Sequence, residues 1–388
     1  MNPSTQPAQT LLNTPSTIPA TVSWADPSRE NTFQNWMKNV STAHHLLPAT
    51  LRSASADASF RRYFRIDRQN SESTSASLII MDAPPAQENC QPFVDIARLM
   101  AQAGLQVPDI LAWDATHGFM LLTDLGAKTM MEVINPQLSD ELADPNFDLF
   151  MQAVDTLIDW QLASKPGVLP PYDEALLRRE LALFPDWYLA KHKGVTLDKT
   201  QQATLDNAFS LIVQRNLAVP SVYVHRDYMP RNLMVLEPKT ADGKRSLGVL
   251  DFQDAVYGPI TYDIASLMRD AFLSWEEPFV LDITIRYWQK AVKVGLLGEN
   301  SPTGWGADFG EFYRAVEWQA LQRHLKILGI FARLTLRDGK PKYLADTPRF
   351  IAFVRKTADR YRELGPFLKL IDQIEGIETA MGYSFGKT

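Results

Sequence analysis

One ordered pair of segments constrains this chain more than anything else in it: His225-Arg226-Asp227-Tyr228-Met229-Pro230-Arg231-Asn232, then Leu250-Asp251-Phe252. Between them lies a hairpin signal. A β-forming run from Asn232 to Leu236 leads to a turn dipeptide, Asp242-Gly243, and a second run spans Leu247 to Phe252. Asn232 opens the first strand and Asp251 closes the second. An antiparallel pair therefore returns both side chains to one end of the hairpin, beside Asp227.

Phosphoryl transfer to a hydroxyl needs such a set. The acceptor must be held in line and lose a proton, which calls for a carboxylate beside it, Asp227. A triphosphate needs a divalent cation, and Mg²⁺ takes oxygen ligands while keeping several waters, so Asn232 and Asp251 suffice. Arg231, next to Asn232, could offset charge on the transferring phosphate, or form a buried ion pair. Taken singly, Asp227 and Asn232 read as turn caps and Asp251 as a strand-end carboxylate; the order and spacing of all three carry the inference. His225 is expected to pack and hydrogen-bond rather than shuttle protons.

The surrounding pattern predicts an α+β, two-lobe architecture. A Ser/Thr/Pro/Gln-rich start is expected to be a disordered tail over residues 1–30. A small β-rich lobe follows over 31–125, and a large, mainly helical lobe over 126–388. In the first lobe, Phe33, Trp36, Met37 and Val40 fall at helical spacing. Small residues from Ser53 to Ala58 read as a turn, Ser59 to Ile66 and Leu78 to Met81 as strands, Pro92 to Ala103 as a helix, and Ile110 to Trp113 and Phe119 to Thr123 as strands. The second lobe carries 3.6-residue periodicity over 147–162, 174–190, 205–216, 264–273, 281–294, 311–331 and 348–363.

Composition removes several function classes. The formal net charge is −6, without a dense basic run, so nucleic acid is not an expected partner. Cys90 is the one cysteine, which excludes an internal disulfide and a thiolate zinc site. No apolar run reaches the ~18 residues of a membrane span, and the start lacks the features of a secretory signal. Cytoplasmic residence is the expectation.

The 225–232 and 250–252 segments resemble the catalytic and metal loops of protein kinases and of the aminoglycoside phosphotransferase/choline kinase superfamily. The latter is favoured, because Asp251-Phe252-Gln253-Asp254-Ala255 runs directly into Gly258-Pro259 and Tyr262-Asp263-Ile264-Ala265, with no Ala-Pro-Glu activation segment. Asp263 is read as structural, a helix N-cap. Longer stretches are similar to a subgroup, the bacterial anomeric kinases of N-acetylmuramate and N-acetylglucosamine used in peptidoglycan recycling. These are Ala56 to Arg65, Met81-Asp82-Ala83-Pro84-Pro85, Leu183-Phe184-Pro185-Asp186-Trp187, and Leu321 to Lys326 with Phe331-Ala332-Arg333.

That resemblance implies a protein-kinase-like fold, ATP and Mg²⁺, an amino-sugar substrate, and transfer to the sugar's C1 hydroxyl. It implies nucleotide contacts from Ser59 in the phosphate turn, from the strand cation Arg62, and from the backbone of Thr123 and Leu125 where the lobes join. Arg179 and Arg323 become candidates for a sugar carboxylate, Asp186 and Trp187 for the pyranose, and His324 for a lesser contact. Trp187 also reads as core. Two departures stand out: the phosphate turn has no glycines, and Leu78 to Met81 carries no lysine. Arg61, Arg62 and Arg65 are the available cations, with 61 and 65 on one strand face and 62 on the other. Glu88 is a possible partner for such a cation. The departures keep two alternatives open: a kinase of another small hydroxyl compound, aminoglycoside- or choline-like, and a catalytically weak nucleotide- or sugar-binding regulator.

Overall fold

The computed structural model describes residues 22–55, 60–69, 76–134, 145–236, 247–298 and 304–378. Contacts divide the chain into two units, Met1–Gln91 with Pro108–Asp124, and Pro92–Val107 with Leu125–Thr388.

The first unit is an antiparallel sheet with one helix on it. Helix α1 (Pro27–His44) starts on Asp26, whose carboxylate accepts from the Ser28 N–H, with Pro27 in the first turn. It begins inside the segment expected to be tail; of that segment, residues 1–21 lie outside the described residues. Five strands follow: β1 (Arg52–Ser55), β2 (Arg62–Asp67), β3 (Ser77–Asp82), β4 (Ile110–Asp114) and β5 (Phe119–Thr123), in the order β1-β2-β3-β5-β4. The predicted turn from Ser53 is thus partly strand, since Arg52–Ser55 pairs with β2 through an irregular register. Phe33, Trp36, Met37 and Val40 of α1 bury against Phe64, Ile66, Leu78, Ile80, Phe119 and Leu121. Alternation along β2 therefore sends Phe64 and Ile66 toward α1.

The second unit is mainly helical. From Pro92 on, α2 (Gln91–Gln102) belongs here rather than with the sheet it follows in sequence. The reason is packing: Phe93 lies 4.9 Å from Phe252 between ring centroids, and the Gln106 carbonyl accepts from the Val249 N–H. Next come α3 (Met130–Val133), α4 (Pro145–Leu162), α5 (Glu174–Leu183), a π-helix over Phe184–Lys193 and α6 (Lys199–Leu217). Four short strands form two antiparallel pairs, β6 (Ser221–Val224) with β9 (Val256–Pro259), and β7 (Leu233–Val235) with β8 (Leu247–Val249). The turn of the second pair, at Asp242-Gly243, lies outside the described residues. Helices α7 (Thr261–Met268), α8 (Glu277–Lys293), α9 (Phe309–Leu336), α10 (Thr347–Arg360) and α11 (Gly365–Glu375) complete the unit.

The periodicity from Glu174 to Ala190 predicts one helix, and the structure divides it. A ten-residue π-helix follows α5 and packs along α9. Gly329 of α9 makes the approach possible: a Cβ there would lie 2.3 Å from the Leu183 carbonyl oxygen. No helix among the described residues is long and apolar enough to cross a membrane.

Candidate active site

The 225–232 segment leaves β6 at Val224 and is pinned at once. Asp263, fully buried in the first turn of α7, accepts from the backbone N–H of His225 (2.7 Å) and of Arg226 (3.0 Å). This corrects the capping role expected for Asp263. The helix's own N-cap residue is Ile260, which makes no side-chain cap bond, and the carboxylate serves the neighbouring loop instead. Burial raises the Asp263 pKa, against the pull of His225, the two N–H donors and Arg323. His225 is buried too. Its Nε2 bonds the Leu250 carbonyl (3.0 Å) and its Nδ1 accepts from the Asp227 N–H (3.3 Å), so it joins the catalytic loop to the residue before Asp251.

Asn232 draws the three expected residues together. Its Nδ2 donates to the Asp227 carbonyl (2.9 Å) and to Asp251 Oδ2 (3.4 Å), while its own carbonyl accepts from the Leu250 N–H (2.9 Å). With Nδ2 turned inward, the amide oxygen is left as an acceptor. Asp251 is exposed, its backbone is left-handed (φ 62°), and Gln253 Nε2 donates to its Oδ1 (2.9 Å). An amide oxygen and an exposed carboxylate are hard donors of the kind a small divalent cation takes. No cluster of three His, Cys, Asp or Glu side chains suited to a metal occurs among the described residues. Half-buried Arg231 lies over the Phe272 ring (4.7 Å).

Behind Asp227 stands a charged cluster that the sequence reading did not assemble. Glu180 of α5 is only 5% exposed. Its Oε1 accepts from Arg226 Nη2 (2.5 Å) and Lys326 Nζ (2.9 Å), its Oε2 from the Tyr172 hydroxyl (2.7 Å) and Gln322 Nε2 (3.0 Å). Burial alone would raise the Glu180 pKa, but Lys326, Arg226 and these hydrogen bonds outweigh it and hold the carboxyl at about 2. A local signal did exist. Glu180 falls with Leu177 and Leu181 on the buried stripe of α5, a place where a lone carboxylate needs partners.

The candidate sugar residues separate into two groups. Arg323 is 2% exposed, donates to the Arg226 carbonyl (2.7 Å) and lies over the Tyr262 ring (4.9 Å), so it supports the loop instead of facing outward. His324 is 1% exposed and stacks on Phe353 (4.9 Å between centroids). Burial, with Arg269 and Arg323 nearby, pushes its pKa down to about 3. An enclosed neutral ring of this kind cannot reach a sugar, which corrects the expectation for His324. Arg179 and Asp186 are exposed, and Trp187 is half-buried.

In the first unit, the three strand arginines have distinct partners. Arg62 spends Nε and Nη2 on Asp82 (2.9 and 2.5 Å) and Nη1 on the Ser23 carbonyl (3.1 Å), and covers the Trp24 ring (4.0 Å). Arg65 pairs with Asp124 (2.6 Å). Arg61, with a side chain 11% exposed, pairs with Glu88 (3.1 Å). Arg62 is therefore fully engaged within the unit, and Arg61 is the arginine that meets Glu88. Ser59 lies outside the described residues. The Thr123 N–H donates to the Asp109 carbonyl (3.0 Å), and Leu125 is half-buried.

Comparison with known proteins places the fold first. The chain resembles the ADP-bound aminoglycoside phosphotransferase APH(2'')-Ib (TM-score 0.53, 12% identity, 82% of this chain and 97% of that one). It also resembles a choline kinase from Streptococcus pneumoniae (TM-score 0.54, 12% identity, 84% and 99%). The architecture is thus the α+β, protein-kinase-like fold. Residues 50–298 match the model of the phosphotransferase enzyme family, and the chain belongs to that family. It is similar to the N-acetylmuramate/N-acetylglucosamine kinases of Pseudomonas aeruginosa (49% identical, 84% of this chain, 88% of the relative) and Neisseria meningitidis (40%, 92% and 99%). It is a small-molecule kinase whose acceptor is a hydroxyl group.

Proposed function

We propose that this kinase transfers the γ-phosphoryl group of ATP to the C1 hydroxyl of N-acetylmuramate or N-acetylglucosamine, in the cytoplasm, as a step of cell-wall sugar recycling. The observation that carries the reading is the Asn232 side chain, which ties the Asp227 backbone and the Asp251 carboxylate into one array. The two kinases similar along most of their length supply the substrate class.

Asp227 takes the proton of the anomeric hydroxyl as its oxygen bonds to the γ-phosphorus. The bond from phosphorus to the β,γ-bridging oxygen breaks, and ADP leaves. The anomeric hydroxyl is more acidic than a simple alcohol, so a carboxylate base is adequate, and positioning with charge stabilisation does most of the rest. The Asn232 amide oxygen and the Asp251 carboxylate would hold Mg²⁺, which supplies neutralising charge to the phosphate oxygens. Arg231 offsets charge on the transferring group. Arg61, held by Glu88, takes the place of the absent strand lysine, while Ser59 and the backbone of Thr123 and Leu125 meet the nucleotide. Arg179 suits the lactyl carboxylate of N-acetylmuramate, with Asp186 and Trp187 on the pyranose.

The test is to incubate the protein with ATP, Mg²⁺ and a panel of free sugars, aminoglycosides and choline, and follow phosphorus NMR. An acid-labile sugar 1-phosphate formed from the two amino sugars is the expected product. Turnover confined to an aminoglycoside or choline, or none at all, would overturn the assignment.

A further inference from the structure

Arg226, immediately before the catalytic carboxylate, has a left-handed backbone (φ 77°). A residue with a Cβ adopts that conformation only at a cost, and keeps it where its surroundings over-determine it. Here they do. Asp263 accepts its N–H (3.0 Å), Arg323 donates to its carbonyl (2.7 Å), and Glu180 takes its Nη2 (2.5 Å). Glu180 is itself fixed by Lys326, Tyr172 and Gln322, that is, by α9 and by the segment leading into α5. A buried ion cluster is weak evidence for stability, because desolvation cancels most of its attraction. It does define one geometry. Rotation about φ of residue 226 would swing the chain at Asp227.

Resting on the proposed kinase reaction, we infer that Glu180 is a positioning residue: through the Arg226 side chain it locks the left-handed turn that aims Asp227 at the acceptor hydroxyl. Its contribution then falls on kcat and not on substrate binding. It is also conditional on a side chain at position 226. Glycine adopts positive φ without strain, so a glycine there needs no lock.

Steady-state kinetics of four variants with ATP, Mg²⁺ and N-acetylglucosamine test this. Arg226→Ala, which keeps the strain and loses the anchor, is expected to lose about tenfold or more in kcat, with little change in either KM. Arg226→Gly should stay within about threefold of the parent. Glu180→Gln should match Arg226→Ala, and in the Arg226→Gly background it should cost nothing further. Equal losses in the alanine and glycine variants, a loss confined to KM, or an undiminished Glu180→Gln penalty in the glycine background would each overturn the inference. Should Glu180→Gln not fold, by thermal melting, the alanine–glycine contrast decides alone. Amide exchange over residues 225–232 reads the lock without turnover: faster in Arg226→Ala, unchanged in Arg226→Gly. A wrong substrate assignment and a wrong lock therefore give different results, and equal exchange in those two variants also counts against the lock.

Discussion

Asp227 and Asp270 carry opposite consequences at the scale of single residues. On the proposed mechanism Asp227→Asn should lower kcat by about 10²–10⁴, measured by coupled ADP release, with an unchanged melting temperature. Asp270 lies fully buried at the end of the segment after α7. Its Oδ1 accepts from the Phe272 N–H (2.6 Å), and its Oδ2 has no hydrogen-bond partner. Burial raises its pKa to about 6, against the pull of that N–H, Arg323 and Arg349. The folded state therefore holds the proton more tightly than the unfolded chain does. Stability tied to that proton is complete below about pH 4 and is lost as pH rises through 6, a loss of roughly 3 kcal/mol. Asp270→Asn should melt higher than the parent at pH 8 and equal to it near pH 4, by calorimetry. A variant that melts lower at pH 8 would show the ionised form to be stabilising.

Legibility also divides residue by residue. Asp227, Asn232 and Asp251 could be read because two short motifs and a hairpin signal fix their meeting locally. Glu180, Arg226 and Lys326 could not be assembled, because pairing across 46 and 146 residues leaves no period in the sequence. Arg323 was singled out by the subgroup resemblance, yet burial decided its job. The choice among Arg61, Arg62 and Arg65 turned on which strand face meets α1, and alternation alone does not say which side is covered.

Elements show the same division. The long helices α4, α6, α8, α9 and α10 follow their apolar stripes. The pair β6 and β9 was missed because four-residue strands carry too little pattern. The π-helix was missed for a different reason: its ten residues continue from α5 in close approach to α9, a tertiary contact that leaves no period in the sequence. That approach makes Gly329 decisive. Gly329→Ala would press a methyl into the Leu183 carbonyl, and with backbone on the other side there is no flexible tip to yield. We expect a destabilisation of about 1–3 kcal/mol in urea unfolding.

At the scale of the whole molecule, acid should undo the fold through a few carboxylates. Burial opposes ionisation of Glu180 and Glu277, yet their cationic and hydroxyl partners hold both at about 2. Each contributes stability that is full above the unfolded carboxyl range, near 4.5, and is lost as pH falls through about 2. For Glu180 this is roughly 3 kcal/mol. Glu180→Gln should flatten the acid limb of the unfolding curve. A limb of unchanged slope would place the titration elsewhere.

Asp82 sets where the polypeptide can be shortened. It is fully enclosed at the end of β3, and one of its two countercharges, Arg29 Nη2 at 2.5 Å, comes from α1 and not from the sheet. A deletion that begins the chain at residue 31 would remove that guanidinium and leave Asp82 Oδ1 buried without that partner. One that begins at residue 22 keeps it. Between those two start points lies one fastening of the first unit's sheet.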